Sequence, residues 1–115
     1  MHKDVIDTQK GIACLAGKRE SYIRIAGMFT KNIDAKVEAL RGFFEKGDFK
    51  RLNNEFHGLK SSSASVGSTA LPKIALELEM AGREGNDELI KEKFEAFIDQ
   101  YRDTCEALDE AVSQL

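Results

Sequence analysis

Two histidines, His2 and His57, are the candidates for acid–base or nucleophilic work, and only His57 sits inside a patterned segment. It follows Phe56 in the stripe Phe49, Leu52, Phe56, Leu59, Ser63, Val66, whose steps of three and four trace one face of a helix. At about 100° per residue, His57 points roughly 130° away from that face, toward solvent. The same arithmetic sets Ser61, Ala64 and Ser68 beside it, with Lys60 on the flank nearer the core. An imidazole with an ordinary pKa of about 6.5 is mostly neutral at pH 7 and can act as a nucleophile, and a neighbouring cation favours the neutral form further. Lys60, one turn on, is placed to pair with a dianionic group attached to the ring. The small neighbours leave room for a partner to bring an electrophile in line. Spacing alone also suits an ordinary surface histidine beside an ordinary surface lysine.

Metal and other catalytic chemistries fit less well. A di-iron bundle wants Glu-x-x-His on paired helices, and the residue three before His57 is Asn54. No carboxylate is placed in sequence as a base for His57, which is followed by Gly58. Cys14 and Cys105 are single residues on apolar stripes and are expected to pack in the core rather than to act as ligands or nucleophiles. The sequence has no GxGxxG, no GxxxxGK[ST], no CxxC and no HExxH, so no metal or cofactor is expected on this chain.

The elements that must hold His57 read as helices from end to end. Tyr22, Ile25, Ala26, Phe29, Ile33, Val37, Leu40, Phe43 and Phe44 predict one long amphipathic helix from Arg19 to Glu45. Gly47-Asp48 interrupts it, with Asp48 an N-cap for the helix that bears His57, and Gly67 is a natural residue just past that helix's end. Ser61-Ser62-Ser63 has the composition of a loop, but the apolar spacing runs through it to Val66, which favours helix. Ser68 or Thr69 can cap a further helix, where Pro72 is tolerated in the first turn. That helix carries Leu71, Ile74, Ala75, Leu78 and Ala81 and stops at Gly85-Asn86. Asn86 can cap the last, with Ile90, Phe94, Phe97, Tyr101, Cys105, Leu108 and Val112 as its stripe. Val5, Ile6, Ile12 and Leu15 predict a shorter packing helix ended by Gly17. The expected fold is all-α: an antiparallel up-and-down four-helix bundle with a short additional N-terminal helix.

Composition agrees. With 115 residues, 42% hydrophobic and 32% charged, the chain suits a single domain spanning 1–115 with one core. The single proline argues against a turn-dense β-sandwich. A net charge of −3 with scattered Lys and Arg lacks the basic stripe that nucleic acid requires. No apolar run reaches the ~18 residues of a membrane span. Met-His-Lys-Asp-Val-Ile-Asp lacks the apolar core of a signal peptide, so a cytoplasmic setting with reduced thiols is expected.

The segment His57-Gly58-Leu59-Lys60-Ser61-Ser62-Ser63-Ala64-Ser65-Val66-Gly67 resembles the signature of histidine-containing phosphotransfer (HPt) domains: His-x-Leu-Lys, then small residues, then an apolar residue and Gly. The likeness continues through Leu71, Leu78-Glu79 and Arg83-Glu84-Gly85. Upstream, Tyr22 and Phe29 match the family's long second helix, so the resemblance runs roughly from Asp7 to the end. Ser61 departs from the glycine common after the lysine, but is small enough to keep the approach open.

The resemblance implies that His57 is the phosphoacceptor. It would take a phosphoryl group from a receiver-domain aspartyl phosphate through Nε2 and pass it to another receiver in a multistep phosphorelay. Lys60 would stabilise the phosphoryl group, and Ser61, Ala64 and Ser68 would border the docking surface. The partners implied are response-regulator receiver domains or a hybrid sensor kinase, with Mg²⁺ on the receiver. The chain itself would be a carrier rather than an enzyme, and monomeric. The dimerisation helix of a sensor kinase, which has an acidic residue after its histidine, fits worse. The alternative from another class is a non-catalytic helical adaptor that binds a receiver without phosphotransfer.

Overall fold

A computed structural model describes residues 4–115 of the chain, so His2 lies outside the described residues. Six helices follow one another: α1 (Thr8–Ala13), α2 (Arg19–Thr30), α3 (Ile33–Glu45), α4 (Phe49–Ser65), α5 (Leu71–Arg83) and α6 (Asp87–Ser113). Among the described residues there is no strand, only an isolated antiparallel bridge between Ile6 and Ser68. The all-helical expectation holds.

The helix expected over Arg19–Glu45 is instead two. Lys31 is extended (ψ 135°) and Asn32 is left-handed (φ 58°), a conformation its short polar side chain tolerates. Phe29 and Val37 face the core on either side of the break, with Val37 fully buried. Lys36 then closes the end of α2, its Nζ donating to the carbonyls of Met28 and Phe29 at 3.1 Å each.

One apolar cluster is shared by five helices. Tyr22, Ala26 and Phe29 enter it from α2, Val37 and Leu40 from α3, and Leu52, Phe56 and Leu59 from α4. Leu71, Ala75, Leu78 and Ala81 of α5 join Ile90, Phe94, Phe97, Ile98, Tyr101 and Leu108 of α6. Phe56 meets Phe97 edge-on with centroids 5.0 Å apart, and Phe44 stacks on Phe94 at 4.1 Å. Cys105 is buried as expected, but Cys14 is not. Helix α1 ends at Ala13, before the stripe reaches Cys14, and leaves the thiol exposed. No helix among the described residues is long and apolar enough to cross a membrane.

Candidate functional site

Helix α4 begins where Asp48 accepts a hydrogen bond from the amide of Arg51 at 3.3 Å, and Leu52, Phe56 and Leu59 bury its inner face. The serine run is helical, as the apolar spacing through it predicts, with Ser63 buried on the inner face. Ser63 Oγ donates to the Leu59 carbonyl and Ser65 Oγ to that of Ser61. His57 accordingly stands outside the core, with 61% of its side chain exposed. Gly58 beside it has open space where a side chain would be.

The feature that spacing along α4 did not reveal is a carboxylate from α5. Oε2 of Glu79 lies 2.5 Å from Nδ1 of His57, and its Oε1 accepts from Lys60 Nζ at 2.8 Å. Arg83 Nη2, one turn further along α5, reaches Oε2 at 3.0 Å. The Glu79 side chain is only 2% exposed, so it is a buried charge with three partners. The hydrogen bond from Lys60 outweighs the effect of burial, and with His57 and Arg83 it holds the Glu79 carboxyl below the usual range. An ionised carboxylate only accepts hydrogen bonds, so Nδ1 must carry the proton and donate. Neutral His57 is therefore left with its lone pair on Nε2. Lys60 and Arg83 together exceed the charge of Glu79 by one, so the surroundings of the ring are net cationic.

A signal for Glu79 was present in the sequence. Ala75, Leu78, Glu79 and Gly82 follow the spacing of one helix face, which puts a carboxylate on the buried stripe of α5. The partner it would meet on α4 was not legible. Gly82 allows the two helices to approach: a Cβ there would fall 2.3 Å from Asn53 Oδ1. That Oδ1 is buried without a hydrogen-bond partner, against the glycine.

Of the residues expected to flank His57, Ser61 is exposed and Ala64 half-buried. Ser68 is not with them. Helix α4 ends at Ser65, and Gly67 turns the chain with φ +91°, so helical arithmetic fails beyond that point. Ser68 is 6% exposed, its hydroxyl donating to Asp4 and accepting from the amide of Leu71 at 3.2 Å. A cavity of about 720 Å³ opens between α2, α3 and α4, against Leu59, Ser62 and Val66, and takes in none of His57, Lys60 or Glu79. Among the described residues no cluster of three or more His, Cys, Asp or Glu is arranged to hold a metal ion.

A single exposed imidazole, locked in one tautomer by a buried carboxylate and edged by cations, can accept and return an anionic electrophile. The model of the Hpt domain family matches residues 24–115 of the chain. No curated protein and no solved structure matches it.

Proposed function

This chain belongs to the Hpt domain family, whose members carry phosphoryl groups on histidine in phosphorelays, and on that premise we propose that His57 is its phosphoacceptor. The observation that carries the proposal is the 2.5 Å contact between Nδ1 of His57 and Glu79, because it leaves the lone pair on Nε2 of a ring that stands largely outside the core.

In this reading Nε2 attacks the phosphorus of a receiver's aspartyl phosphate. An N–P bond forms as the acyl O–P bond breaks, and the electron pair leaves with the aspartate. The ring gains positive charge as it does so, and Glu79 stabilises it through Nδ1–H. Lys60 and Arg83 neutralise Glu79 in the resting state and are close enough to attract the incoming phosphoryl group. Return to a second receiver reverses these steps. The receiver supplies Mg²⁺ and the remaining charge stabilisation, which fits a carrier rather than an enzyme.

The docking surface comprises Ser61 and Ala64 on α4, with Ser68 supporting the turn beneath it rather than meeting the partner. Leu76 and Met80 extend it across α5. They are 42% and 49% exposed, and both lie within about 100° of Glu79 around the helix. Two exposed apolar side chains beside the imidazole suit a transient signalling contact with a receiver or hybrid kinase. In the same reading residues 1–115 form one cytoplasmic, monomeric domain. There α2 and α3 together make one leg of an antiparallel four-helix bundle with α4, α5 and α6.

The test is phosphoryl transfer from receivers charged by a small phosphodonor, with Mg²⁺, read on a phosphate-affinity gel beside His57→Gln. An acid-labile, alkali-stable label on the wild type alone is expected. A label that persists in His57→Gln would remove His57 from the mechanism, and binding without label would leave an adaptor.

A further inference from the structure

His57 and Glu79 are equally far along the chain from Ser68, on either side of the α4–α5 turn. In an antiparallel helix pair the turn sets which residues face each other, so the conformation of residues 66–70 decides whether Glu79 meets His57. Locally, the amides of Gly67 and Ser68 close α4 on the carbonyls of Ala64 and Ser63 at 3.0 Å each, and the Ser68 hydroxyl accepts from the Leu71 amide at 3.2 Å. The residue preceding α5, Ala70, makes no side-chain cap, and the amides of Thr69 and Ala70 find no acceptor within the turn.

Those two amides are satisfied from the far end of the chain. Oδ1 of Asp4 accepts from the amides of Thr69 and Ala70 at 3.1 and 2.9 Å and from the Thr69 hydroxyl at 3.1 Å. Oδ2 of Asp4 accepts from the hydroxyl of Ser68 and from that of Thr104 on α6 at 2.7 Å. A residue remote in sequence thus does the work of a helix cap and ties it to α6. The backbone that carries Asp4 is held too. The Asp7 amide donates to the Gly67 carbonyl at 2.8 Å, and the Thr69 hydroxyl, whose one proton is shared with Asp4, lies 2.9 Å from the Val5 carbonyl. Gly67 is pressed so closely on this strap that a Cβ would fall 2.3 Å from the Asp7 carbonyl oxygen. From inside, Tyr22 donates its hydroxyl to the Val66 carbonyl at 2.7 Å. Asp4–Asp7, α1 and Tyr22 all precede residue 24, where the family match begins.

We propose that the strap Asp4–Asp7 fixes the register of α5 against α4, and that Asp4 is a positioning residue which keeps Glu79 on Nδ1 of His57. The role in phosphoryl transfer rests on the function proposed above; the effect on the His57 ring does not.

The experiment uses the full chain and two readouts. Nitrogen-15 spectra of the His57 ring report its tautomer and its Nδ1–H bond, and the gel assay reports transfer. Asp4→Ala is expected to average the two ring tautomers and to slow transfer by about tenfold, the lower end for loss of a residue that orients a histidine through another group. Asp4→Asn is expected to restore most of both, because its amide oxygen can keep the bonds to Thr69 and Ala70 while Ser68 and Thr104 turn to accept. Thr104→Val, which removes one contact only, serves if Asp4→Ala does not fold, and is expected to show the same ring change in smaller measure. Val37→Ala, a core substitution in α3, controls for lost stability and is expected to leave the ring spectrum unchanged. Ring signals and transfer at wild-type values in Asp4→Ala would overturn the proposal, as would the same ring change in Val37→Ala. A ring change in Asp4→Ala without transfer in any variant, wild type included, would uphold the strap and refute the carrier reading.

Discussion

Lys60 and Glu79 form an ion pair at 2.8 Å across the α4–α5 interface, so the lysine one turn after His57 reaches the imidazole through a shared carboxylate. The consequence is a division of labour. Glu79 sets the tautomer of the ring, and Lys60 offsets the negative charge that would otherwise repel an incoming phosphoryl group.

Glu79→Ala should slow phosphoryl acceptance by about 10–100-fold, the range seen when a ligand-orienting partner is removed. Glu79→Gln, which keeps an acceptor oxygen but loses the charge, should fall between the wild type and Glu79→Ala. Single-turnover transfer from a phosphorylated receiver measures both. Equal rates in all three proteins would show that the carboxylate is structural only.

Lys60→Ala should reduce the transfer rate or the lifetime of the phosphohistidine by about tenfold, less than for a fully dry site because the side chain is partly exposed. Helical circular dichroism should be unchanged. Decay of the isolated phosphoprotein, followed on a phosphate-affinity gel, separates lifetime from transfer.

Arginine scanning should separate surface from support. Ala64→Arg and Ser61→Arg should block transfer while melting near the wild-type temperature. Ser68→Arg should cost more than about 3 kcal/mol, because it drives a charge into the contact with Asp4. Thermal melts of the three variants decide it; normal transfer in Ala64→Arg would place the receiver elsewhere.

Acid should weaken the fold through Asp4 and Glu79. Burial pushes the Asp4 carboxyl up, but hydrogen bonds from Ser68, Thr104, Ala70 and Thr69 outweigh it and leave it below the usual carboxylate range. Glu79 is lowered as well, chiefly by Lys60. A carboxyl whose folded pKa is depressed contributes stability that is complete above its unfolded value of about 4 and is lost as pH falls through the folded value. Urea midpoints should therefore be flat above pH 5 and decline below pH 4, and the decline should be shallower in Asp4→Asn.

The two thiols should differ in reactivity. Burial pushes the Cys105 thiol up to about 12, whereas Cys14 is exposed. Alkylation at pH 8 followed by mass spectrometry should add one label to the native protein and a second only after denaturation.

How much of this was legible beforehand depended on range. Helix caps at Asp48 and Asn86, the C-terminal Gly67 and the outward face of His57 follow from residues within a turn or two of one another, so a one-dimensional pattern contains them. The break at Asn32 was not legible, because the apolar spacing that predicts one helix over Arg19–Glu45 runs straight across it. By itself the sequence determined an all-helical chain with one exposed histidine beside a lysine in a field of small residues. Only the tertiary structure decided that Glu79 meets His57, that Ser68 turns inward, and that Asp4 caps a helix from the other end of the chain. Each of these contacts joins helices or segments whose relative register is set by the packing of the whole core and by one turn. Periodicity records which side of a helix is buried, not which residue of a neighbouring helix stands opposite.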